Sequence, residues 1–252
     1  MEKQLMIYER IAPITLDKHR DITVQTGKDW RFASQLNTIP VLAAEIEPAS
    51  AELPIVFAGE GENMSIVALT ALRAGENLFV SPGGGWQGSY VPAFLRRYPF
   101  VFAETGPGGE TLTLCIDEAC DGVNSDGLGE RLFDSAGERT HYLDRMLQFT
   151  SDYQTQHRLT RAFCQRLVAL DLLESAVANV KLPDGQTLTL TGFQRISRDK
   201  LRDLDDATVT QLFRSDMLGL IYFHLGSLAH LSALANRSAP ATPAQQPEAA
   251  DA

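Results

Sequence analysis

"VKLPDGQTLTLTGF", Val180 to Phe193, decides how the chain is divided. Asp184-Gly185 sits between two segments that alternate apolar and polar residues, a pattern that predicts a β-hairpin closed by a tight turn. The flanks read differently. Upstream, Leu143, Leu147, Thr150 and Tyr153, then Leu159, Phe163, Leu167, Leu170 and Leu173, recur every three or four residues and predict one long or two consecutive amphipathic helices. Downstream, Ser197 or Asp199 can cap one helix start and Asp205 another, and Leu218, Ile221, Leu225, Leu228 and Leu231 or Ser232 form an apolar stripe. The hairpin is therefore inserted between helices.

The first half carries short apolar runs bounded by Gly, Pro and Asn: "ITVQT", "IPVLAAEI", "LPIVFA", "MSIVALTAL", "NLFV", "FVFAE" and "TLTLCID". Their length and their β-branched and aromatic content predict strands. "EIEPASAE" reads as a short helix, and Ala74 to Asn77 as a turn in which Gly75 supplies backbone freedom. Strands first and helices later give an α+β fold, with a mixed or antiparallel sheet built mainly from the N-terminal half. Residues 1–235 read as one domain. Residues 236–252, rich in Pro, Ala, Gln and Glu, read as a disordered tail.

Composition narrows the partners. The 252 residues carry a formal charge of -10, which disfavours nucleic acid and anionic lipid. The three cysteines, Cys115, Cys120 and Cys164, have no CxxC spacing, which argues against a disulfide framework and a structural zinc site. The charged start, broken by Pro13, does not read as an export signal, and no apolar run reaches membrane-spanning length. A cytoplasmic protein with no membrane span is the expectation.

The segments "LPIVF", "GENLFV", "GWQGSYVPAFLRRYPF", "LCID", "LFDSAGE", "LTGFQRIS", "KLRDL" and "GLIYFHLGSLAHL" occur here in an order and spacing that resemble the SapC family of bacterial proteins, over roughly Pro13 to Leu234. This is not the similarly named peptide-transport permease, which needs several membrane spans. The resemblance implies a link to a surface-layer protein locus, and it brings no catalytic residues with it.

The most distinctive of these segments lies in "GGGWQGSYVPAFLRRYPF", Gly83 to Phe100. Read structurally, the glycines allow close backbone approach, Trp86 fills core, and Ser89 caps a short helix that stops at Tyr98 because of Pro99. Arg96 or Arg97 then pairs with Glu104 or Asp117. Read functionally, a glycine loop entering a helix can receive an anion, with Arg96 and Arg97 as a fork and Trp86, Tyr90 and Tyr98 giving shape. The spacing matches neither phosphate-loop nor dinucleotide motif. Candidate ligand-binding residues are Gly84, Gly85, Trp86, Tyr90, Arg96, Arg97, Tyr98 and His224.

Other chemistry is thin. Glu138, His141 and Asp144 share a helical neighbourhood but form no recognised metal motif, and the acidic run from Asp117 to Asp134 fails the EF-hand pattern, so no metal is assigned and cofactors stay open. No GxSxG elbow occurs, and Cys164 falls mid-helix. Two functions remain. The first is a non-enzymatic binding or accessory protein, linked to surface-layer or envelope assembly, with a small-molecule, peptide or protein partner. The second is a small enzyme in which Arg96, Arg97, Tyr90 and His224 stabilise charge or move protons. The last helix also offers a face for a second copy.

Overall fold

The structure, a computed structural model, describes residues 7–105 and 111–238. In chain order it contains β1 (Ile11–Pro13), α1 (Leu16–His19), β2 (Thr23–Val24), β3 (Thr38–Pro40), α2 (Ile46–Ser50), β4 (Ile55–Ala58) and β5 (Ser65–Leu69). There follow α3 (Ala93–Arg96), β6 (Phe100–Thr105), β7 (Thr111–Asp117), β8 (Val123–Asn124), β9 (Glu130–Arg131) and α4 (His141–Ala169). The chain then forms β10 (Leu173–Lys181), β11 (Thr187–Ile196), α5 (Arg198–Arg202), α6 (Asp206–Arg214), α7 (Met217–Ser227) and α8 (His230–Arg237). Three antiparallel sheets result, in the orders β10-β11-β4-β5-β3, β1-β7-β6 and β8-β2-β9. The fold is α+β, with the hairpin in the helical half.

The hairpin closes where Asp184 and Gly185 predict. Gly185 takes φ +86°, the left-handed region that glycine enters without penalty, and the Asp184 carboxylate accepts the Gln186 amide at 2.9 Å. Its second strand joins the N-terminal sheet through the Gln194–Phe57 pairing, so the inserted element completes a sheet begun far upstream. α7 fastens that junction. The Ile196 amide donates to His224 Nε2 at 3.1 Å, so Nδ1 carries the proton and donates to the Ile55 carbonyl at 2.9 Å. Ser227 Oγ accepts the Ile55 amide at 3.0 Å and donates to the His224 carbonyl at 2.7 Å. Two polar side chains on one helix thus satisfy backbone groups of two strands.

α4 is one unbroken helix of 29 residues, begun by Thr140, whose hydroxyl accepts the Leu143 amide. Its buried face is Tyr142, Leu143, Thr150, Tyr153, Thr160, Phe163, Cys164 and Leu167. Leu159, expected in the stripe, is exposed instead, and Thr160 takes the inward position because its hydroxyl accepts the Ala43 amide at 2.8 Å. Leu173 opens β10 rather than extending the helix.

Three other expectations change. "NLFV" is not a strand: the Asn77 carboxamide accepts the Phe79 amide and donates to the Ala33 carbonyl, which bends the chain and leaves one isolated bridge, Val80 to Trp86. The strand in "IPVLAAEI" ends at Pro40, because the Glu45 carboxylate takes the Leu42 amide at 2.9 Å and starts a helical turn. α8 continues through Asn236 and Arg237, two residues into the segment expected as tail; residues 239–252 lie outside the described residues. Among the described residues, no single helix is long and apolar enough to cross a membrane.

Apolar side chains gather in three clusters. The largest packs Ile55, Phe57 and Ile66 against Phe163, Leu167, Ile221 and Leu234. A second joins Trp30, Ile39, Phe94, Leu95, Tyr98 and Tyr153, and a third joins Val24, Phe100, Ile116, Leu132, Tyr142 and Leu143. The Gly83 to Phe100 stretch runs over the second.

Candidate functional site

The glycine loop is held from several sides. The Ser81 amide donates to Gly85 O and the Gly84 amide to Ser81 O, while the Trp30 amide donates to Gly84 O at 2.8 Å. Gly84 has φ +85°, and a Cβ there would lie 2.5 Å from Asp29 Oδ1, so only glycine lets these two loops touch. Trp86 stacks on Phe79 with centroids 5.5 Å apart, meets Trp30 edge-on at 6.3 Å, and donates Nε1–H to the Tyr90 carbonyl at 2.9 Å. Gly84, Gly85 and Trp86 therefore brace the loop from behind.

Two carboxylates organise the turn into α3. Glu52 accepts the Ser89 and Tyr90 amides at 3.0 and 2.7 Å, and Ser89 does not cap the helix as expected: α3 starts later, with Pro92 at its N-cap position. Buried Glu45 accepts the Ala93 amide at 2.6 Å and the Tyr90 hydroxyl at 2.7 Å through one oxygen, and the Leu42 amide through the other. Burial, then the Glu45 carboxylate, raises the Tyr90 hydroxyl pKa above its ordinary value. Glu45 was not singled out from sequence. Its signal was a lone acid between apolar residues in "VLAAEIE", which must find donors if it is buried.

From α3 the two arginines diverge. Arg97 is 1% exposed, with its guanidinium 4.4 Å from the Tyr153 ring centroid, 5.0 Å from Phe94 and 5.7 Å from Tyr8. The Tyr8 hydroxyl donates to the Phe100 carbonyl at 2.8 Å, and burial raises its pKa. Arg96 is 44% exposed in its side chain and packs its guanidinium 5.4 Å from Phe149 and 5.7 Å from Tyr90. Its ion-pair partner among the described residues is Glu45, at 3.7 Å, and not Asp117; the expected pairing with Glu104 falls on a side chain outside the described residues. Asp117, fully buried, accepts the amides of Glu9, Arg10 and Ala119.

Arg96, Tyr98 and Pro99 form one wall of a cleft of about 500 Å³. The other walls come from residues 25–32 and 119–122. Phe32 stacks on Tyr98 with centroids 4.2 Å apart, and Trp30 lies 5.9 Å from Phe32. The Tyr98 hydroxyl donates to Asp117 at 3.4 Å, and burial pushes both the Tyr98 hydroxyl and the neighbouring Cys120 thiol up in pKa. At the mouth, the Arg31 guanidinium forks onto the Asp29 carboxylate and lowers its pKa. Of the candidate residues, only Arg96 and Tyr98 line this cleft, with Gly84 against Asp29 at its edge. "KDWRF", Lys28 to Phe32, lines it too and was not singled out; its alternation of charged and aromatic residues in a loop was the available signal.

His224 lies elsewhere, 0% exposed between β4 and β11, with burial pulling its pKa down to about 4. A second cavity of about 430 Å³ lies near it, lined by Arg195, Arg202 and Leu225 among others. There Arg195 already pairs with Glu174 at 2.9 Å and Arg202 with Asp199 at 3.4 Å. Among the described residues, no three His, Cys, Asp or Glu side chains are grouped to hold a metal; Asp144 pairs with Arg139 at 3.2 Å. Cys164 is buried with its pKa pushed up to about 12, which keeps it a thiol.

The SapC family model matches residues 14–234. No curated protein and no solved structure matches the chain. With the "YVPAFLRRYPF" block forming both the brace and one wall of the cleft, and the match running from the residue after β1 into α8, the chain belongs to the SapC family.

Proposed function

We propose that this SapC-family chain is a non-enzymatic binding or accessory protein that takes a small molecule or a short peptide in the cleft between Arg96–Pro99 and Lys28–Phe32, in the service of surface-layer or envelope assembly. The observation that carries this is the division of labour around the cleft. Its backbone supports are built of buried, fully engaged carboxylates and aromatic stacks, while Arg96 stays part-exposed on its wall. A preformed concave site of a few hundred Å³ with a small number of placed polar groups is the usual form of a ligand pocket.

Binding fits the lining better than catalysis. Tyr98 and Cys120 have pKa values raised by burial, so both stay protonated at neutral pH and neither supplies a base or thiolate. His224, the histidine considered for proton transfer, is enclosed by backbone partners.

The test is a thermal-shift screen of the full chain against organic acids, amino acids, nucleotides and short peptides, with hits mapped by amide NMR. A ligand at one hundred times its dissociation constant stabilises the native state by about 2.7 kcal/mol. Hits that shift Phe32, Tyr98 and Gly122 support the proposal. Hits that map to other surfaces, or no hit from any class, overturn it, and turnover of a bound compound would replace it with the enzymatic reading.

A further inference from the structure

We infer that the cleft selects a ligand carrying a carboxylate beside a flat apolar body, with Arg96 and Lys28 receiving the carboxylate and the Phe32–Tyr98 wall receiving the body. This rests on the cleft being the binding site. The hydrogen-bonding donors that the cleft's cations leave uncommitted lead to it. Asp29 is committed to Arg31, and Asp121 is close enough to Arg31 to favour its charged form. Formally the lining is even, with Lys28, Arg31 and Arg96 against Glu9, Asp29 and Asp121; the two cations without a short carboxylate contact among the described residues are Lys28, which makes no ion pair, and Arg96.

Arg96 is the better placed of the two cations. Its one ion-pair contact among the described residues is Glu45, and the Glu45 oxygen nearest to it already accepts the Ala93 amide and the Tyr90 hydroxyl. At 3.7 Å that contact is too long for a good charge-assisted hydrogen bond. Among the described residues, the Arg96 side chain donates one hydrogen bond, to the Tyr90 hydroxyl at 3.4 Å. Several guanidinium N–H donors are therefore left to the solvent side, while Phe149 and Tyr90 hold the group by its faces. A planar donor fork held in this way matches a carboxylate in two parallel hydrogen bonds. The same cleft is lined by the stacked Phe32 and Tyr98 rings, whose cleft-facing edge offers apolar surface to a ring or a branched side chain. N-acylated amino acids and peptide C-termini have this chemistry.

A matched pair of probes tests it: N-acetylphenylalanine, and the corresponding primary amide, which differs only in lacking the carboxylate. Both are titrated to millimolar concentration into the full chain and followed by amide NMR. The acid is expected to shift Phe32, Tyr98 and Gly122 and to bind about tenfold or more tightly than the amide, the size of one charge-assisted hydrogen-bond pair. Arg96→Gln is expected to erase that preference and Lys28→Gln to reduce it, with both variants keeping the wild-type spectrum away from the cleft. Equal binding of acid and amide would overturn the carboxylate inference while leaving the cleft a binding site. An acid that shifts nothing in the cleft would also overturn it, whatever the wider screen returns. A wider screen without any cleft hit removes the binding reading itself, so the two failures are distinct.

Discussion

Arg96 and Arg97 are consecutive residues at the end of one short helix, and the protein uses them for opposite purposes. Arg97 is enclosed by Tyr8, Phe94 and Tyr153 and is the largest fully buried side chain among the described residues. Arg96 keeps 44% of its side-chain surface and borders the cleft. Successive residues on a helix point about 100° apart, so a pair that looks like one fork in sequence is divided between two faces. One region braces, and the other is left available. The difference gives each arginine a distinct experimental signature.

The largest effect is expected on the bracing side. Arg97→Ala removes a buried cation from three aromatic faces and opens a cavity, at an expected cost of about 3 to 5 kcal/mol. Denaturant unfolding of the variant reads this directly, and an unchanged midpoint would end the distinction between the two arginines. Trp86→Ala, in the same brace, loses its stacking on Phe79 and its bond to the Tyr90 carbonyl, with an expected loss of about 3 kcal/mol. Its partial exposure places it below Arg97.

His224 shows how bracing by a titratable group depends on pH. The folded protein holds it neutral, with a pKa of about 4 against an ordinary 6.5. Between those values the unfolded chain binds the proton and the folded one does not, so this stability is complete above pH 6.5 and is lost as pH falls through 4. From pH 7 to pH 5 the loss from this residue is about 2 kcal/mol. Unfolding midpoints of wild type and His224→Gln at the two pH values test it: the variant is less stable at pH 7 and lacks this part of the pH dependence.

These residues also show how far the sequence could be read. The Asp184-Gly185 hairpin, the Asp205 cap of α6 and the long helix α4 were legible because local propensity and apolar period agree with the fold at each of them. Leu159 and Thr160 misled because a single distant hydrogen bond, to the Ala43 amide, outweighs apolar patterning at that position. "NLFV" misled because Asn77 bonds its own backbone and ends the extended run. Of the site, the Arg96–Tyr98 wall was visible, since it is contiguous in sequence. The opposing wall from Lys28 to Phe32 was not, because it joins only through tertiary contacts such as the Trp30 amide to the Gly84 carbonyl.

That contact suggests a finer test of where brace meets cleft. Gly84→Ala places a methyl against Asp29 and asks an L-residue to hold φ +85°, at an expected cost of about 1 kcal/mol. The displaced Asp29 loosens its hold on Arg31, so the change is expected in the NMR resonances of Asp29 to Phe32, with those of Phe94 and Tyr153 unmoved. Shifts confined to the Phe94 and Tyr153 side would show the loop serving the brace alone.

The smallest stability effect belongs to Arg96, and its smallness is the point. Arg96→Gln removes a part-exposed cation whose one ion-pair contact is 3.7 Å long, while Glu45 keeps its Leu42, Ala93 and Tyr90 donors. A pair of this kind contributes at most about 0.5 to 1 kcal/mol, so the melting temperature is expected to move by only a few degrees. Retained stability with lost preference for a carboxylate is what separates a ligand-facing arginine from a structural one. If Arg96→Gln instead unfolds as readily as Arg97→Ala, both arginines belong to the brace, and the cleft loses the group that gives it a chemical preference.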